Sequence, residues 1–416
     1  MNLRMTWTFT VKDIDPFKDA SIEVKPLTVF IGRNSSGKSI LMRLMWVMSV
    51  AEPDYVSFVK TLQGRLTEKG LAEDRLERVA LRDIKEYARI YAEAMSISLL
   101  EGAKGKIREV FNDAKGLVRL SSEHITITVD LTSGKTETVP RLEDLFEVEV
   151  TGFYGISLRL KVANLSGLMI VNHVRAVEEL YDFLHHSLSQ LLGPYFMPYF
   201  QGLTMRRVDF LVDSRAGLLR YKFPDLLKVQ ELSEAVTKDF IRSYVALLDE
   251  FHKGEIGISK DLFEELGFNL KVVDEGGFKV PYVQLWNGKV FPLSEAPSGV
   301  REALPMALAL NSKKGSVVYI EEPEAHLHPR AQRIVAKMIA NAVKKGKYVI
   351  VTTHSDYLLY TLSNLIGLYR KDREAGLDPN MVSAYLLRRG DNYTEVEKLT
   401  VDEYGISEEE FSKVID

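Results

Sequence analysis

The chain contains no cysteine, which excludes disulfides and thiolate metal sites and suits a reducing compartment, so a cytoplasmic protein is expected. No stretch approaches the roughly 18 consecutive apolar residues of a membrane-spanning helix. Residues 1–10 are too polar for a secretory leader, and no membrane partner is expected. The charges show no bias: 54 Lys and Arg against 58 Asp and Glu leave a net charge of −4, too little to draw the whole chain toward nucleic acid. Nucleic acid therefore stays open as a partner without support from net charge. The basic pairs Arg206-Arg207, Lys313-Lys314, Lys344-Lys345 and Arg388-Arg389 are short and read as solvated faces. Internal repeats and low-complexity segments are also missing. What remains is a globular composition, 46% hydrophobic and 27% charged over 416 residues, enough for one large domain or two to three ordinary ones.

The most informative stretch is Gly32-Arg33-Asn34-Ser35-Ser36-Gly37-Lys38-Ser39. It follows the apolar run Leu27-Thr28-Val29-Phe30-Ile31 and leads into Ile40-Leu41-Met42 and an apolar helix reaching Val50. Strand, glycine-rich loop and helix in that order, with GxxxxGK[ST] matched at every fixed position, form a phosphate-binding loop. Glycine lets the backbone turn its N–H groups inward, and the helix start adds further N–H groups and the positive end of its dipole. Lys38 is placed to reach the β- and γ-phosphates of ATP, and the Ser39 hydroxyl to hold Mg2+.

Further along, Val317-Val318-Tyr319-Ile320-Glu321-Glu322 is a buried-strand pattern ending in two acids, and Val349-Ile350-Val351-Thr352-Thr353-His354 is a second strand ending in histidine. Parallel strands deliver such residues to the C-terminal edge of the sheet, where open α/β sheets bind ligands. There one carboxylate can serve the metal and the next can polarise a water, while a histidine can donate to a phosphate. The final third alternates helix 298–311, strand 316–320, helix 328–344, strand 347–352 and helix 356–364, which predicts a mainly parallel, three-layer α/β sheet. Before it come strands at 7–11, 20–24, 125–129, 146–150 and 156–162, amphipathic helices between 54 and 117, a helix over 174–192, a strand at 208–212, helices over 225–266 and short strands at 270–273 and 282–286.

The order of the loop 32–39, then Ser298-Gly299, Glu321-Glu322 and His354 resembles ABC-type ATPase heads of the RecF/SMC kind. The runs FKDASIEVKPLTVFIGRNSSGKS, YIEEPEAHLHPRAQ and VTTHSDYLL resemble more closely the OLD-related ATPases of prokaryotic defence systems, without their C-terminal Toprim domain. The resemblance implies an α/β fold: an ABC-type P-loop ATPase head with an N-terminal β-rich subdomain, a three-layer, mainly parallel sheet core and a helical insertion. On that view residues 1–53 carry the first strands and the phosphate loop, 54–120 the helical arm or lid, and 121–204 the strands and helix of the N-terminal lobe. Residues 205–400 hold the remaining core, with a helical subdomain at 225–266, and 401–416 a tail.

The resemblance also implies roles. Glu321 and Ser39 take the magnesium side, Glu322 is the catalytic base, His354 the switch histidine and Lys38 the phosphate lysine. ATP is bound by residues 32–40, through Ile40, and in trans by Ser298 and Gly299 of a second head. Ala296-Pro297 depart here from the glycine- and serine-rich signature of the family. Asn172, Gln201 and Asp213 are all open as the residue of a Q-loop. A homodimer or higher homo-oligomer and a separately encoded effector protein are the implied partners. An ATP-regulated nuclease, a largely non-catalytic nucleotide sensor and a DNA-maintenance protein compete with an effector-controlling ATPase. The nuclease would need a two-metal carboxylate set, which the 62 residues after His354 do not supply.

Overall fold

The computed structural model describes residues 7–71, 84–123, 125–141, 144, 146–151, 155–160, 169–173, 182–184, 186, 207–258 and 260–407. Two compact units emerge, Met1–Ser21 with Val47–Met205, and Ile22–Trp46 with Arg206–Asp416.

The first unit is built on an antiparallel sheet in the order β2-β1-β4-β5-β6, formed by β1 (Trp7–Ile14), β2 (Phe17–Val24), β4 (Leu117–Ser121), β5 (Thr126–Asp130) and β6 (Thr136–Val139). In β1 and β4 buried and less buried side chains alternate, as expected of a sheet with one face in the core. Trp7, Phe9, Val11, Val118 and Leu120 form the inner face. Strand β4 lies where helix is expected from the sequence. Five residues are too few for periodicity to decide the matter, and its pairing with β1, Thr8 opposite Ser121, is a long-range contact. The arm consists of α2 (Tyr55–Glu68), capped by the Asp54 carboxylate on the Ser57 N–H, and the 27-residue α3 (Ile84–Val110). They meet through the edge-to-face pair Phe58–Tyr91. A second antiparallel sheet joins β7 (Phe146–Thr151), β8 (Gly155–Leu160) and β9 (Met169–His173), the last not foreseen from the sequence. The helix expected over 174–192 lies largely outside the described residues.

The second unit holds a mixed α/β core. Its six-stranded sheet runs β10-β14-β15-β3-β16-β17, from β3 (Leu27–Ile31), β10 (Arg207–Leu211), β14 (Gly315–Glu321), β15 (Tyr348–Thr353), β16 (Val382–Arg389) and β17 (Thr394–Leu399). Five strands are parallel and only β17 is antiparallel. Every residue of β3 and β15 is buried, and their unbroken apolar runs are those of strands covered on both faces. Register aligns the strand ends: Leu211 faces Ile320, Glu321 faces Thr352, Thr353 faces Ile31, and Ile31 faces Leu386.

Helices clothe the sheet: α1 (Lys38–Val50), the single turn α4 (Arg215–Leu218), α5 (Phe223–Leu232), α6 (Ala235–His252), α7 (Lys260–Leu266), α8 (Ser298–Asn311), α9 (Pro329–Lys344) and α10 (Asp356–Tyr369). Their starts follow local rules. Pro329 opens α9 with the His328 ring accepting from the Arg330 N–H, and the Ser355 hydroxyl caps α10 at the Leu358 N–H. The short strands expected at 270–273 and 282–286 belong to a longer hairpin, β11 (Phe268–Glu275) and β12 (Phe278–Leu285), which β13 (Val290–Pro292) extends.

At the N-terminal end of β10 and β14, away from the conjunction of strand ends, lies a buried charged cluster. Arg207 pairs with Glu250 and with Asp209, whose Oδ1 is 2.8 Å from Nε. Lys347 donates to the Gly315 carbonyl and is almost fully buried. Burial pushes the Lys347 ammonium down to about 8, against the pull of Asp209. A lysine that loses its proton more easily when folded weakens folding below its folded value and ceases to do so as pH rises toward its unfolded value near 10.5. Wild-type unfolding free energy should therefore gain about 3 kcal/mol relative to Lys347→Met between pH 8 and pH 10.5. Denaturant titrations across that range check this, and parallel pH curves for the two proteins would refute it.

Candidate functional site

Because the parallel strands end in register, the loops that follow β3, β14, β15 and β10 meet at one edge. After β3 the chain turns at Gly32, whose φ of +152° and tight surroundings leave no room for a side chain: a Cβ would stand 2.3 Å from the Leu387 carbonyl and 2.9 Å from the Ser36 hydroxyl. Ser35 and Gly37 also take positive φ, wrapping the loop before α1 begins at Lys38. Lys38 is buried, and its ammonium folds back on its own loop, donating to the carbonyls of Gly32 (2.7 Å) and Arg33 (2.8 Å). Burial lowers its pKa, while the charges of Glu322 and Glu324 act the other way. Those two carboxylates are therefore near enough to act on the lysine electrostatically although they lie far away in sequence.

The Ser36 hydroxyl is buried with no hydrogen-bond partner. An orphaned donor beside an ammonium that has only loop carbonyls to bind is what a phosphate cradle shows, and the loop fits the phosphates of ATP. Arg33, Asn34 and Ser35 line the exposed rim, and Ile40 lies in the first turn of α1 behind it. Arg389, at the end of β16, reaches over the rim to the Asn34 carbonyl.

Glu321 ends β14 wholly buried. Its carboxylate accepts from the Asp213 backbone N–H at 3.3 Å and from Arg43 at 3.2 and 3.4 Å, with Ser39 beside it. Burial nonetheless raises its pKa, with Arg43 opposing. Arg43 is four residues beyond Ser39 on α1, hence on the same helix face. That i, i+4 spacing is the signal in the sequence that pairs Arg43 with Ser39. One buried carboxylate beside one hydroxyl is the protein's share of a Mg2+ site whose remaining ligands are phosphate oxygens and water. Ser39 and Glu321 could hold such an ion, and Arg43 is the ion-pair partner of the carboxylate in this structure.

Glu322 follows in a left-handed conformation, φ +44°, which for a residue with a side chain costs on the order of 1–3 kcal/mol. Its N–H bonds the Thr352 carbonyl at 3.0 Å, and its carboxylate is about one third exposed, turned to the edge where the loop lies. His354 Nδ1 is 3.7 Å from Glu322 Oε1 and 3.6 Å from Glu324 Oε1. Glu324, buried, fixes the histidine backbone: its Oε1 accepts from the Thr353 hydroxyl (2.8 Å) and the His354 N–H (2.9 Å). Glu324 and Arg43 are site residues not singled out in the sequence, and Arg389, expected on a solvated face, instead contacts the loop at Asn34.

Ser298 and Gly299 open α8. Its N-cap is Pro297, which offers no side-chain acceptor, so the first N–H groups are not capped by a side chain. Gly299 packs on the acidic turn, where a Cβ would stand 3.1 Å from the His326 carbonyl. Of the three Q-loop candidates, Asp213 lies beside Glu321, Asn172 lies on β9 of the first unit, and Gln201 is outside the described residues.

Residues 224–359 match the family model of an AAA ATPase domain. That segment is similar to an ATPase domain. It contains Ser298, Glu321, Glu322 and His354, and leaves residues 32–39 outside the match. No curated protein matches the chain in sequence. Among solved structures, an SMC head bound to the C-terminal winged-helix domain of ScpA is 15% identical, covers 94% of this chain and 97% of its own, and has a TM-score of 0.43. The SMC head domain from Thermotoga maritima is 10% identical, with coverages of 96% and 100% and a TM-score of 0.37. An SMC head with extended coiled coil, bound to the C-terminal domain of ScpA derived from Pyrococcus furiosus, is 14% identical, with 98% of each chain covered and a TM-score of 0.39. Among the described residues no helix is long and apolar enough to cross a membrane.

Proposed function

We propose that the chain is a Mg2+-dependent ATPase of the ABC kind, whose ATP is sandwiched between two copies. The observation that carries this reading is the conjunction of Lys38, Ser39, Glu321, Glu322 and His354, drawn from three separate stretches, at one edge of one parallel sheet. The phosphates lie along residues 32–40, with Lys38 releasing its two loop carbonyls to bind them. Bound Mg2+, held by Ser39 and Glu321, would offset the phosphate charge. Glu322 accepts a proton from the attacking water as its oxygen bonds to the γ-phosphorus and the bond to the β,γ-bridging oxygen breaks. His354 sits to donate a hydrogen bond to the γ-phosphate. Ser298 and Gly299 of the other copy close the site through the start of α8, where backbone N–H groups lack a side-chain cap. Closure and reopening would drive a separately encoded effector protein, in the manner of the OLD-related defence ATPases that the sequence resembles.

The test is ATP turnover by the purified chain with and without Mg2+, as a function of protein concentration, with mass measured by light scattering. Mg2+-dependent turnover should rise more than linearly at low protein concentration, and ATP should double the mass. Turnover strictly linear in protein, from a species that stays monomeric with ATP, would overturn the sandwich. Failure to bind ATP would overturn the whole reading.

A further inference from the structure

One buried ion pair in the second unit is used neither by the phosphate loop nor by the acidic edge itself. Arg215, in the turn α4, and Glu302, in the second turn of α8, are both essentially inaccessible, with Nε 2.8 Å from Oε2. The other Glu302 oxygen accepts the Ala216 N–H at 3.0 Å. Burial pushes the Glu302 carboxyl above its ordinary range, against the pull of Arg215.

The rest of the Arg215 guanidinium is spent on backbone carbonyls. Nη1 donates to Leu211 (3.2 Å), Val212 (2.7 Å) and Glu321 (2.7 Å), and Nη2 to Glu322 (3.1 Å). A single side chain therefore grips the carbonyls of both acids at the end of β14. Those carbonyls begin a turn that bends through left-handed φ values at Glu322 (+44°) and His326 (+55°). Strained backbone persists only where its surroundings over-determine it. The same turn meets α8 again where Gly299 lies against the His326 carbonyl. The first two turns of α8 thus touch the acidic turn at both ends, by close backbone approach at one and through Glu302 and Arg215 at the other.

A purely structural account requires donors for these four carbonyls but no charge on Glu302. An amide of the same shape could accept from Arg215 and from the Ala216 N–H as Glu302 does. What the pair adds is a stiff, directional link, because the guanidinium is a planar fork whose donors all move together.

We propose that Arg215 and Glu302 are positioning residues that couple the start of α8 to the direction of the Glu322 carboxylate. When an anion engages Ser298, the attitude of α8 sets Glu302, Glu302 sets Arg215, and Arg215 sets the carbonyls of Glu321 and Glu322. The proposal rests on the reading of Ser298 as the contact to the ATP of the other copy.

The test uses the full chain carrying Glu302→Gln, which keeps the shape and removes the charge. ATP affinity, read with a fluorescent ATP analogue, should stay within about 2-fold of wild type, and kcat should fall by at least ~10-fold with KM unchanged. Glu302→Asp, which restores the charge, should recover part of the lost kcat. If Glu302→Gln does not fold, the double variant Arg215→Gln/Glu302→Gln, whose amide at 215 still offers donors to the turn carbonyls, should fold and show the same loss confined to kcat. Wild-type kcat in a folded variant overturns the proposal. So does a parallel fall of ATP affinity and kcat, or failure of both variants to fold, since each makes the pair merely structural. If instead wild-type turnover is linear in protein concentration, the sandwich is wrong, whatever the kcat of the variants.

Discussion

Replacing Glu322 by glutamine should reduce ATP turnover by roughly 10²–10⁴-fold while leaving ATP bound, because the amide keeps the shape of the carboxylate and cannot take the proton of an attacking water. The surroundings point to this residue over its neighbours. Glu321 is fully buried and its oxygens are taken up by Arg43 and the Asp213 N–H. Glu324 is likewise buried, and one oxygen is committed to Thr353 and the His354 N–H. Of the three acids Glu321, Glu322 and Glu324, it is Glu322 whose carboxylate is partly exposed, with its backbone tied down at both ends by Thr352 and Arg215. With hydrolysis blocked, ATP should persist in the closed form, so light scattering should find a double-mass species that endures, whereas that of the wild type reverts to single mass once the added ATP is consumed. Turnover within about 3-fold of wild type would remove Glu322 from the chemistry and shift attention to Glu324.

Much of this edge was legible in the sequence, and the reason is locality. The phosphate loop is one continuous segment, and its flanking strand and helix are marked by composition alone. The acids and the histidine were legible because they terminate apolar runs too regular to be anything but buried strands. What could not be read is how these ends are held. Arg215 and Glu302 are 87 positions apart and meet only because β10 and β14 are neighbours. Arg389 reaches the loop only because β16 pairs with β3. No spacing rule encodes such contacts, since they follow from strand order and not from period. The errors in the first unit have a matching cause. Strands β4 and β9 have five residues each, too few to show a period, and β4 is a strand through β1, its partner distant in the chain.

Lys38→Met should weaken ATP binding by about 10²–10³-fold, at two lost charge-assisted hydrogen bonds of roughly 1.5–3 kcal/mol each, discounted for non-additivity. The structure shows why the lysine is so placed before any nucleotide arrives. Its ammonium is buried, burial lowers its pKa, and its two contacts are neutral carbonyls of its own loop. Glu322 and Glu324 help keep it charged from across the edge. A buried cation whose only close partners are neutral gains substantially from an anion, so the free energy of this arrangement favours phosphate entry. Methionine keeps the unbranched stem and its packing, so the variant should fold with a melting temperature within a few degrees of wild type, about the shift expected for 1 kcal/mol in a chain of this size. It could even be the more stable protein, because it no longer buries an ammonium. The measurement is therefore paired: calorimetric titration with ATP for affinity and thermal unfolding for stability. A normal melting curve with lost affinity is the expected outcome. Retained affinity would mean that the backbone N–H groups of residues 32–40 carry the phosphates alone, and that Lys38 serves only to brace the Gly32 and Arg33 carbonyls.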